Sequence, residues 1–529
     1  MPTVRQRIEE RLRTALTTLD LDPDLTDVTA TADSRFGDYQ TNAAMVLAKS
    51  LRRNPRDLAA QIAETIDLSG IGDTPTIAGP GFLNFRLSDE FLATTAADLA
   101  ADPRLGVTPT TDPRTIVIDF SAPNVAKPMH VGHIRSTFIG DALSRIARCL
   151  GHRVITDNHI GDWGTQFGKV IYGWKNFLDQ NALEADPIPE LLRLYRQVNS
   201  LEETDEALAR AVREELVKLQ SGDPENLAIW QQVVDYSWQG FERFYSLLGI
   251  KFDERLGESA YRHALAPLVD RLLADGTATI SEGAACIFFP DDPDLAERPC
   301  LIRKSDGGFL YATTDLATIE DRVARHQPDA IWYVTGAPQA LHFQQIFAAA
   351  RKMGHDLDTR HVAFGSILGS DRKIMRTRSG ENVQLADVLT EAVDRAHAII
   401  TEKNPDLPAD EIDDIAKTIG LGAVKYAELS QHRMTDYIFA WDKMLSFQGN
   451  TAPYLQNAYV RIQSIFRKAD APTLDSQLKA LDFTETPERA LAIKQLQFAE
   501  LLPQVLTDFR PNLLANYLYD LATTFHAFY

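Results

Sequence analysis

The chain has 529 residues, with 54 Lys or Arg against 74 Asp or Glu, a net charge of −20. Its 44% hydrophobic and 24% charged residues exclude a long disordered or collagen-like chain, and at roughly 150 residues per domain the length predicts about three domains. The negative charge excludes a broad, non-specific polyanion binder, because neutralising phosphates supplies most of that affinity; DNA is not an expected partner. Cysteines stand only at 149, 286 and 300. Without a CxxC pair they form neither a disulfide framework nor a zinc cage. The N-terminus lacks the apolar stretch of a signal peptide, and no apolar run reaches the 18 or so residues that cross a bilayer. A cytoplasmic protein with no membrane partner is expected.

Residues 1–110 read as a small α/β module. Val4, Ile8, Leu12 and Leu16 recur at helical spacing. Residues 42–51 predict a second helix, and GPGFLNFRL at 79–87 predicts a turn leading into a strand. The Pro/Thr-rich stretch 106–115 reads as a linker. TIVIDF (115–120) is a β-branched strand, followed by a loop holding Pro123 and Pro128 and a helix from about Val131; RVITDNHI (153–160) is a second strand. Strand, loop and helix in this alternation predict an α/β fold with a Rossmann-like, doubly wound parallel sheet. Residues ~175–300 are mostly polar helical sequence and read as an insertion, after which 307–316, 330–338 and 361–368 are expected to resume the sheet. Beyond the acidic stretch 404–414, one apolar face (Leu455, Ala458, Tyr459, Ile462, Phe466) and another (Leu514, Leu518, Leu521, Phe525, Phe528) predict an all-helical C-terminal domain. The expected division is 1–110, 111–400 and 401–529.

SAPNVAKPMHVGHIRST (121–137) carries the densest chemistry. His130 and His133 lie three apart at the first turn of a helix, where i and i+3 side chains share a face. Backbone N–H groups and the helix dipole there favour an anion, and Gly132 leaves room for a nucleotide. Alone, HxGH is equally an incidental pair in a proline-rich loop. Its place after a strand and at a helix start weights it toward phosphate binding.

PNVAKPMHVGH resembles the first signature of class I aminoacyl-tRNA synthetases, in the extended form found in arginyl-tRNA synthetases. The likeness extends to FGDYQTNAAMVLAK (36–49), AGPGFLNFRL (78–87), NHIGDWGTQFG (158–168), SDGGFLYATTDLATIEDR (305–322), YVTGAPQALHFQQIF (333–347) and APYLQNAYVRIQSIFRK (452–468). It implies three modules: a tRNA-elbow domain, a catalytic domain and a helical anticodon-binding domain. It also implies a two-step reaction, in which L-arginine and ATP give arginyl-adenylate and pyrophosphate before the arginyl group passes to tRNA(Arg). ATP would enter with Mg²⁺, no structural metal is expected, and a monomer is the default.

Carried over residue by residue, the resemblance assigns ATP contacts to Pro123, Gly132, His130 and His133, with Lys127 just before the histidines. SDRKIMRTRSG (370–380) is similar to the family's relaxed second signature and would add Lys373, Arg376, Arg378 and Ser379. Tyr311 and Asp315 would read the guanidinium, while Asp119, Ser121, Asn124 and Gln339 would hold the amino and carboxyl end. Alone, Asp315 reads as a helix N-cap. Phe36, Tyr39, Gln40 and Asn42 would meet the tRNA elbow, and Tyr459, Arg461, Gln463, Arg467 and Lys468 the anticodon. Phe36 and Tyr39 singly read equally as core aromatics. Relatives continue past NYLYDLATTFHAFY, so the helical domain is expected to lack the family's final segment. Two competing readings are a class I synthetase of another specificity and an RNA-binding paralogue without charging activity. The Tyr311/Asp315/Gln339 set counts against the first, and the intact His130–Gly132–His133 against the second.

Overall fold

The computed structural model describes residues 2–31, 33–369, 371–373, 375, 383–468 and 481–529. The chain groups into two compact units, Thr111–Ser446 and Met1–Thr110 with Phe447–Tyr529.

In the unit Thr111–Ser446, four parallel strands stand in the order Asp358–His361, Ala330–Tyr333, Thr115–Asp119, Arg153–Asp157. Ile116, Val117, Ile118 and all of Ala330–Tyr333 are buried, the continuous apolar pattern of strands covered on both faces. The second strand in the chain lies to one side of the first and the third to the other. Winding therefore reverses between Thr115–Asp119 and Ala330–Tyr333, and ligands of such sheets bind beyond the carboxyl ends at the reversal. The last rung there holds Tyr333, Asp119 and Asp157 side by side.

Several sequence expectations are corrected. Residues 307–316 are not a sheet strand: Leu310 precedes the helix Tyr311–His326. The strand before it, Cys300–Arg303, belongs to a separate antiparallel sheet with Thr279–Ser281 and Ala284–Ile287. The apolar run FLY is too short to span the sheet, and Thr313 Oγ1 accepts the Leu310 amide, which starts a helix instead. The last strand begins at Asp358 rather than 361, and Ile367–Leu368 pairs apart from it with Tyr437–Ile438. The insertion is helical through Pro224–Leu248 and again at Leu265–Ala274, after which comes the small sheet that polar helical periodicity gave no sign of. Helices Leu385–Lys403 and Ala409–Leu429 pack together and lie in this unit, which runs to Ser446, past the expected boundary at 400.

In the other unit, an antiparallel sheet runs Thr29–Ala30, Tyr39–Thr41, Phe82–Phe85, Thr76–Ala78. Helix Val4–Thr18 buries Val4, Ile8, Leu12 and Leu16 as their spacing requires. Ala492 and Leu496 of the helix Thr486–Leu496 complete this core. Arg489 of that helix forks onto Asp38 at 2.8 and 2.9 Å and donates to the Leu87 carbonyl at 2.7 Å. The final helix, Asn512–Phe528, buries Ala515, Tyr517, Ala522 and Phe525, so Leu518 and Phe528 of the expected apolar face stand exposed. Among the described residues, no helix is long and apolar enough to cross a membrane.

Candidate active site

The first strand ends at Asp119 and the chain turns through a loop that departs from ordinary backbone geometry. Ser121, Ala122 and Ala126 adopt φ of 74°, 44° and 61°, left-handed values that cost non-glycine residues roughly 1–2 kcal/mol each. Each is held by a hydrogen bond from its own amide: to Ser136 Oγ at 2.8 Å, Asn158 Oδ1 at 3.1 Å and Ser237 Oγ at 3.0 Å. Strain fixed by its surroundings in this way is typical of functional loops. Ser121 Oγ also meets Tyr245 Oη at 2.7 Å, and Asn158 Nδ2 donates to the same oxygen at 3.0 Å. Burial pushes the Tyr245 phenol up to about 12, keeping it neutral. Pro123 is buried and Asn124 exposed.

The signature helix spans Gly132–Cys149. Its first-turn amides are not available to an anion as the sequence suggested. The Gly132 amide donates to His130 Nδ1 at 3.1 Å, and those of His133 and Ile134 donate to the carbonyls of His130 and Val131. The His130 amide donates to His133 Nδ1 at 3.0 Å. Nδ1 of each ring accepts an amide, and at His133 this amide at 3.0 Å lies closer than the His130 carbonyl at 3.2 Å; in that tautomer Nε2 carries the proton. The rings lie 3.9 Å apart, centroid to centroid. Burial lowers the pKa of His130 and takes that of His133 down to about 3, with the His130 charge adding to the effect. The pair is thus two adjacent neutral N–H donors. A Cβ on Gly132 would come within 2.9 Å of His130 Cε1 and Nδ1, so a side chain there would displace the ring.

Lys127 Nζ sits 4.6 Å from the centroid of the Tyr195 ring on the insertion helix Pro187–Glu202. The segment after the second signature returns to the first: the Val131 amide donates to the Val383 carbonyl, and the Leu385 amide to that of Met129, both at 2.8 Å. Within that signature, exposed Lys373 lies in a turn closed by the Gly369 amide, which donates to its carbonyl at 2.8 Å. Arg376, Arg378 and Ser379 lie outside the described residues.

Tyr311 and Asp315 fall four apart in the first turns of Tyr311–His326, so they share a face. That helix runs back against the strand it feeds, which puts its start at the carboxyl edge of the sheet. Asp315 lies inside the helix and does not cap it; Leu310 holds the cap position. His342 Nε2 donates to Asp315 Oδ2 at 2.6 Å. Tyr311 is exposed, and Gln339 lies exposed at the end of the turn Ala337–Gln339.

Three residues absent from the sequence reading belong to this wall. Glu258 is pushed up to about 7, first by burial and further by the charges of Asp162 and Asp315, against the pull of His159. It also acts electrostatically on Tyr311. Its segment lay inside the presumed insertion, where no motif marks it. Asp162, in the NHIGDWGTQFG segment, is turned inward by the Ser259 amide and hydroxyl, each 2.7 Å away. Arg322 Nη2 reaches Asp119 Oδ2 at 2.6 Å and Asp157 Oδ2 at 2.7 Å. Asp119 therefore does not stand alone. Burial raises its pKa and Arg322 opposes the rise.

Of the tRNA candidates, Phe36 is 50% exposed and Tyr459 63% exposed. Asn42, Arg461, Gln463, Arg467 and Lys468 are exposed, and Gln40 is half-buried. Arg461 lies over the Tyr529 ring at 5.4 Å. Tyr39 is fully buried, and its hydroxyl donates to Glu500 Oε1 at 3.0 Å. It is a core residue and cannot stack on a base. Tyr459, expected on the apolar stripe, points outward instead.

Among the described residues, no group of three or more His, Cys, Asp or Glu could hold a metal ion.

Three family models match the chain: "tRNA synthetases class I (R), catalytic domain" over residues 96–441, "Arginyl tRNA synthetase N terminal domain" over 3–87, and "DALR anticodon binding domain" over 455–529. The arginine–tRNA ligase of Cellvibrio japonicus is 45% identical over 536 residues, covering 99% of this chain and 92% of the relative. That of Thermobifida fusca is 45% identical and covers 94% of this chain and 87% of its own. Among solved structures, the arginyl-tRNA synthetase of Plasmodium falciparum superposes with a TM-score of 0.83 at 28% identity, over 100% of this chain and 92% of that one. With the catalytic-domain model spanning residues 96–441 and a relative 45% identical along 99% of its length, the chain belongs to the arginyl-tRNA synthetase family of class I.

Proposed function

We propose that the chain is an arginine–tRNA ligase in which the carboxyl edge of the parallel sheet divides the work between phosphate and guanidinium. In the first step the α-carboxylate of L-arginine attacks the α-phosphorus of ATP, and pyrophosphate leaves. In the second, a ribose hydroxyl of the terminal adenosine of tRNA(Arg) attacks the activated carbonyl, and AMP leaves. Neither step forms a covalent enzyme intermediate, so catalysis rests on positioning and on stabilising charge as it shifts.

His130 and His133 supply that stabilisation as Nε2–H donors to phosphate oxygens. Because they are neutral, they gain strength as negative charge develops without binding ground-state ATP as tightly as two cations would. Gly132 and Pro123 shape the approach of the nucleotide. Lys127 and Lys373 bring positive charge from either side, and the same role is assigned to Arg376, Arg378 and Ser379. Mg²⁺ enters as part of the ATP complex.

Asp315, fixed by His342, takes the guanidinium with Tyr311, and Glu258 adds a second carboxylate on the same wall. Charge-assisted carboxylate–guanidinium bonds are strong and geometrically selective. Asp119, Ser121, Asn124 and Gln339 hold the α-amino and carboxyl end. Phe36, Gln40 and Asn42 contact the tRNA elbow, and Tyr459, Arg461 and Gln463 the anticodon. The enzyme works in the cytoplasm as a monomer.

One observation carries this reading: Asp315, four residues after Tyr311 on one helix, is held by His342 at 2.6 Å, and its charge acts with that of Asp162 on Glu258. The test is aminoacylation of total tRNA with each of the twenty amino acids and ATP. Charging with arginine alone is expected; charging with lysine or glutamate, or with none, would overturn it.

A further inference from the structure

Asp119 and Asp157 are direct neighbours on adjacent parallel strands. Like charges placed opposite each other in a sheet repel, and these two lie where water cannot screen them: Asp119 is 5% exposed and Asp157 0%. Arg322, itself 0% exposed, crosses from its helix to touch both with one nitrogen, at 2.6 and 2.7 Å. Its guanidinium also lies 5.4 Å from the centroid of Tyr333, the third residue of that rung.

Counting charge explains why both acids are present. Asp119 with Arg322 alone sums to zero and offers little to a cation. Adding Asp157 restores a single negative charge. Of the two carboxylates only Asp119 keeps any side-chain exposure, 7% against 0% for Asp157. Asp157 is also fixed from behind, where its Oδ1 accepts the Leu256 amide at 3.3 Å.

We propose that Asp157 is a positioning residue for the amino-acid substrate: with Arg322 it holds Asp119 in a buried trio whose one net negative charge pairs with the substrate's α-ammonium. This rests on the assignment of Asp119 to the amino end of arginine. Asp157 itself touches no substrate. It shares the charge of Arg322 through Nη2, so that Asp119 keeps its own charge for the ligand. Removing it leaves Asp119 neutralised internally.

The test compares arginine with 5-guanidinopentanoic acid, which keeps the guanidinium and carboxylate but lacks the α-ammonium. Its inhibition constant against arginine is measured alongside the arginine KM in tRNA charging. Asp157→Asn is expected to raise the arginine KM by about tenfold or more, as the loss of a charge-assisted contact does. The KM for ATP and the inhibition constant of the deamino acid should stay within about twofold, because neither contact is charge-paired to the trio. A purely structural role would weaken both ligands together, and that result would overturn the proposal. Asp119→Asn is the control. If it separates the two ligands and Asp157→Asn does not, the trio falls while the role of Asp119 stands. If Asp119→Asn fails to separate them, the assignment of Asp119 falls first. Arg322→Lys keeps the charge sum and is expected to preserve the preference for arginine even with lower thermal stability. Loss of that preference in Arg322→Lys would also overturn the charge count.

Discussion

The backbone amide of His130 donates to Nδ1 of His133 at 3.0 Å, and this contact leaves Nε2 of the second histidine to carry the proton of the neutral ring. With burial holding the ring down to about 3, protonation favours the unfolded chain, whose histidine titrates near 6.5. The stabilising contribution is complete above about pH 6.5 and is lost as pH falls toward 3. In ¹⁵N-histidine spectra, the resonances that vanish in His133→Asn should report a neutral Nε2–H tautomer at pH 7.5, unchanged at pH 5. A midpoint at or above pH 6 would contradict this.

Glu258 behaves in the opposite sense on ligand binding. Held at about 7 in the free protein, it is part protonated at neutral pH, and a guanidinium beside it would drive the proton off. The arginine KM should fall several-fold from pH 6 to pH 8. Glu258→Gln should flatten that dependence and leave the pH profile of the ATP KM untouched. An unchanged arginine profile in the variant would remove Glu258 from the pocket.

Exposure separates the two aromatic residues of the FGDY segment. Phe36→Ala should raise the tRNA KM by about fivefold or more, the loss of one stacking surface at roughly 1–3 kcal/mol. Tyr39→Phe should leave that KM unchanged and cost about 1 kcal/mol of stability, because half-buried Glu500 loses one of its two donors, keeping the Arg5 amide. Tyr39 acting on tRNA affinity instead would show that the segment rearranges on binding.

Arg135 of the signature helix and Glu428 form an ion pair at 2.8 Å, with side chains 1% and 0% exposed. Arg135→Met alone should cost about 3–5 kcal/mol by stranding a buried carboxylate, and adding Glu428→Met should recover most of it. Urea unfolding of the two variants decides this; a double variant less stable than the single would contradict it.

What the sequence reveals of this fold and site depends on what each signal encodes. β-branched runs at 115–120 and 330–338 marked two strands of the sheet, because strands buried on both faces need continuous apolar sequence. Strand–loop–helix order marked the winding. The histidine pair was visible as a motif, but its tautomer was not: it depends on two amide contacts that spacing does not encode. Tyr39 was misassigned because an aromatic residue looks alike whether stacked on a base or packed in a core. Glu258, Arg322 and His342 were missed because each meets its partner only after folding, across 57, 203 and 27 residues for the pairs Glu258–Asp315, Arg322–Asp119 and His342–Asp315.

In the proposed function, acids on the Asp315 wall select the substrate by its guanidinium charge. Citrulline has nearly the same shape as arginine and a neutral ureido group. The direct measurement is kcat/KM for arginine and citrulline in tRNA charging, in the natural chain and in Asp315→Asn. Arginine should be favoured by at least about 10³-fold, as expected of a site whose buried polar groups would go unpaired with the wrong ligand. Asp315→Asn should narrow that ratio by about 10²-fold through citrulline's gain and arginine's loss, with the ATP KM unchanged. A ratio below about ten in the natural chain, or one that Asp315→Asn leaves unchanged, would contradict it.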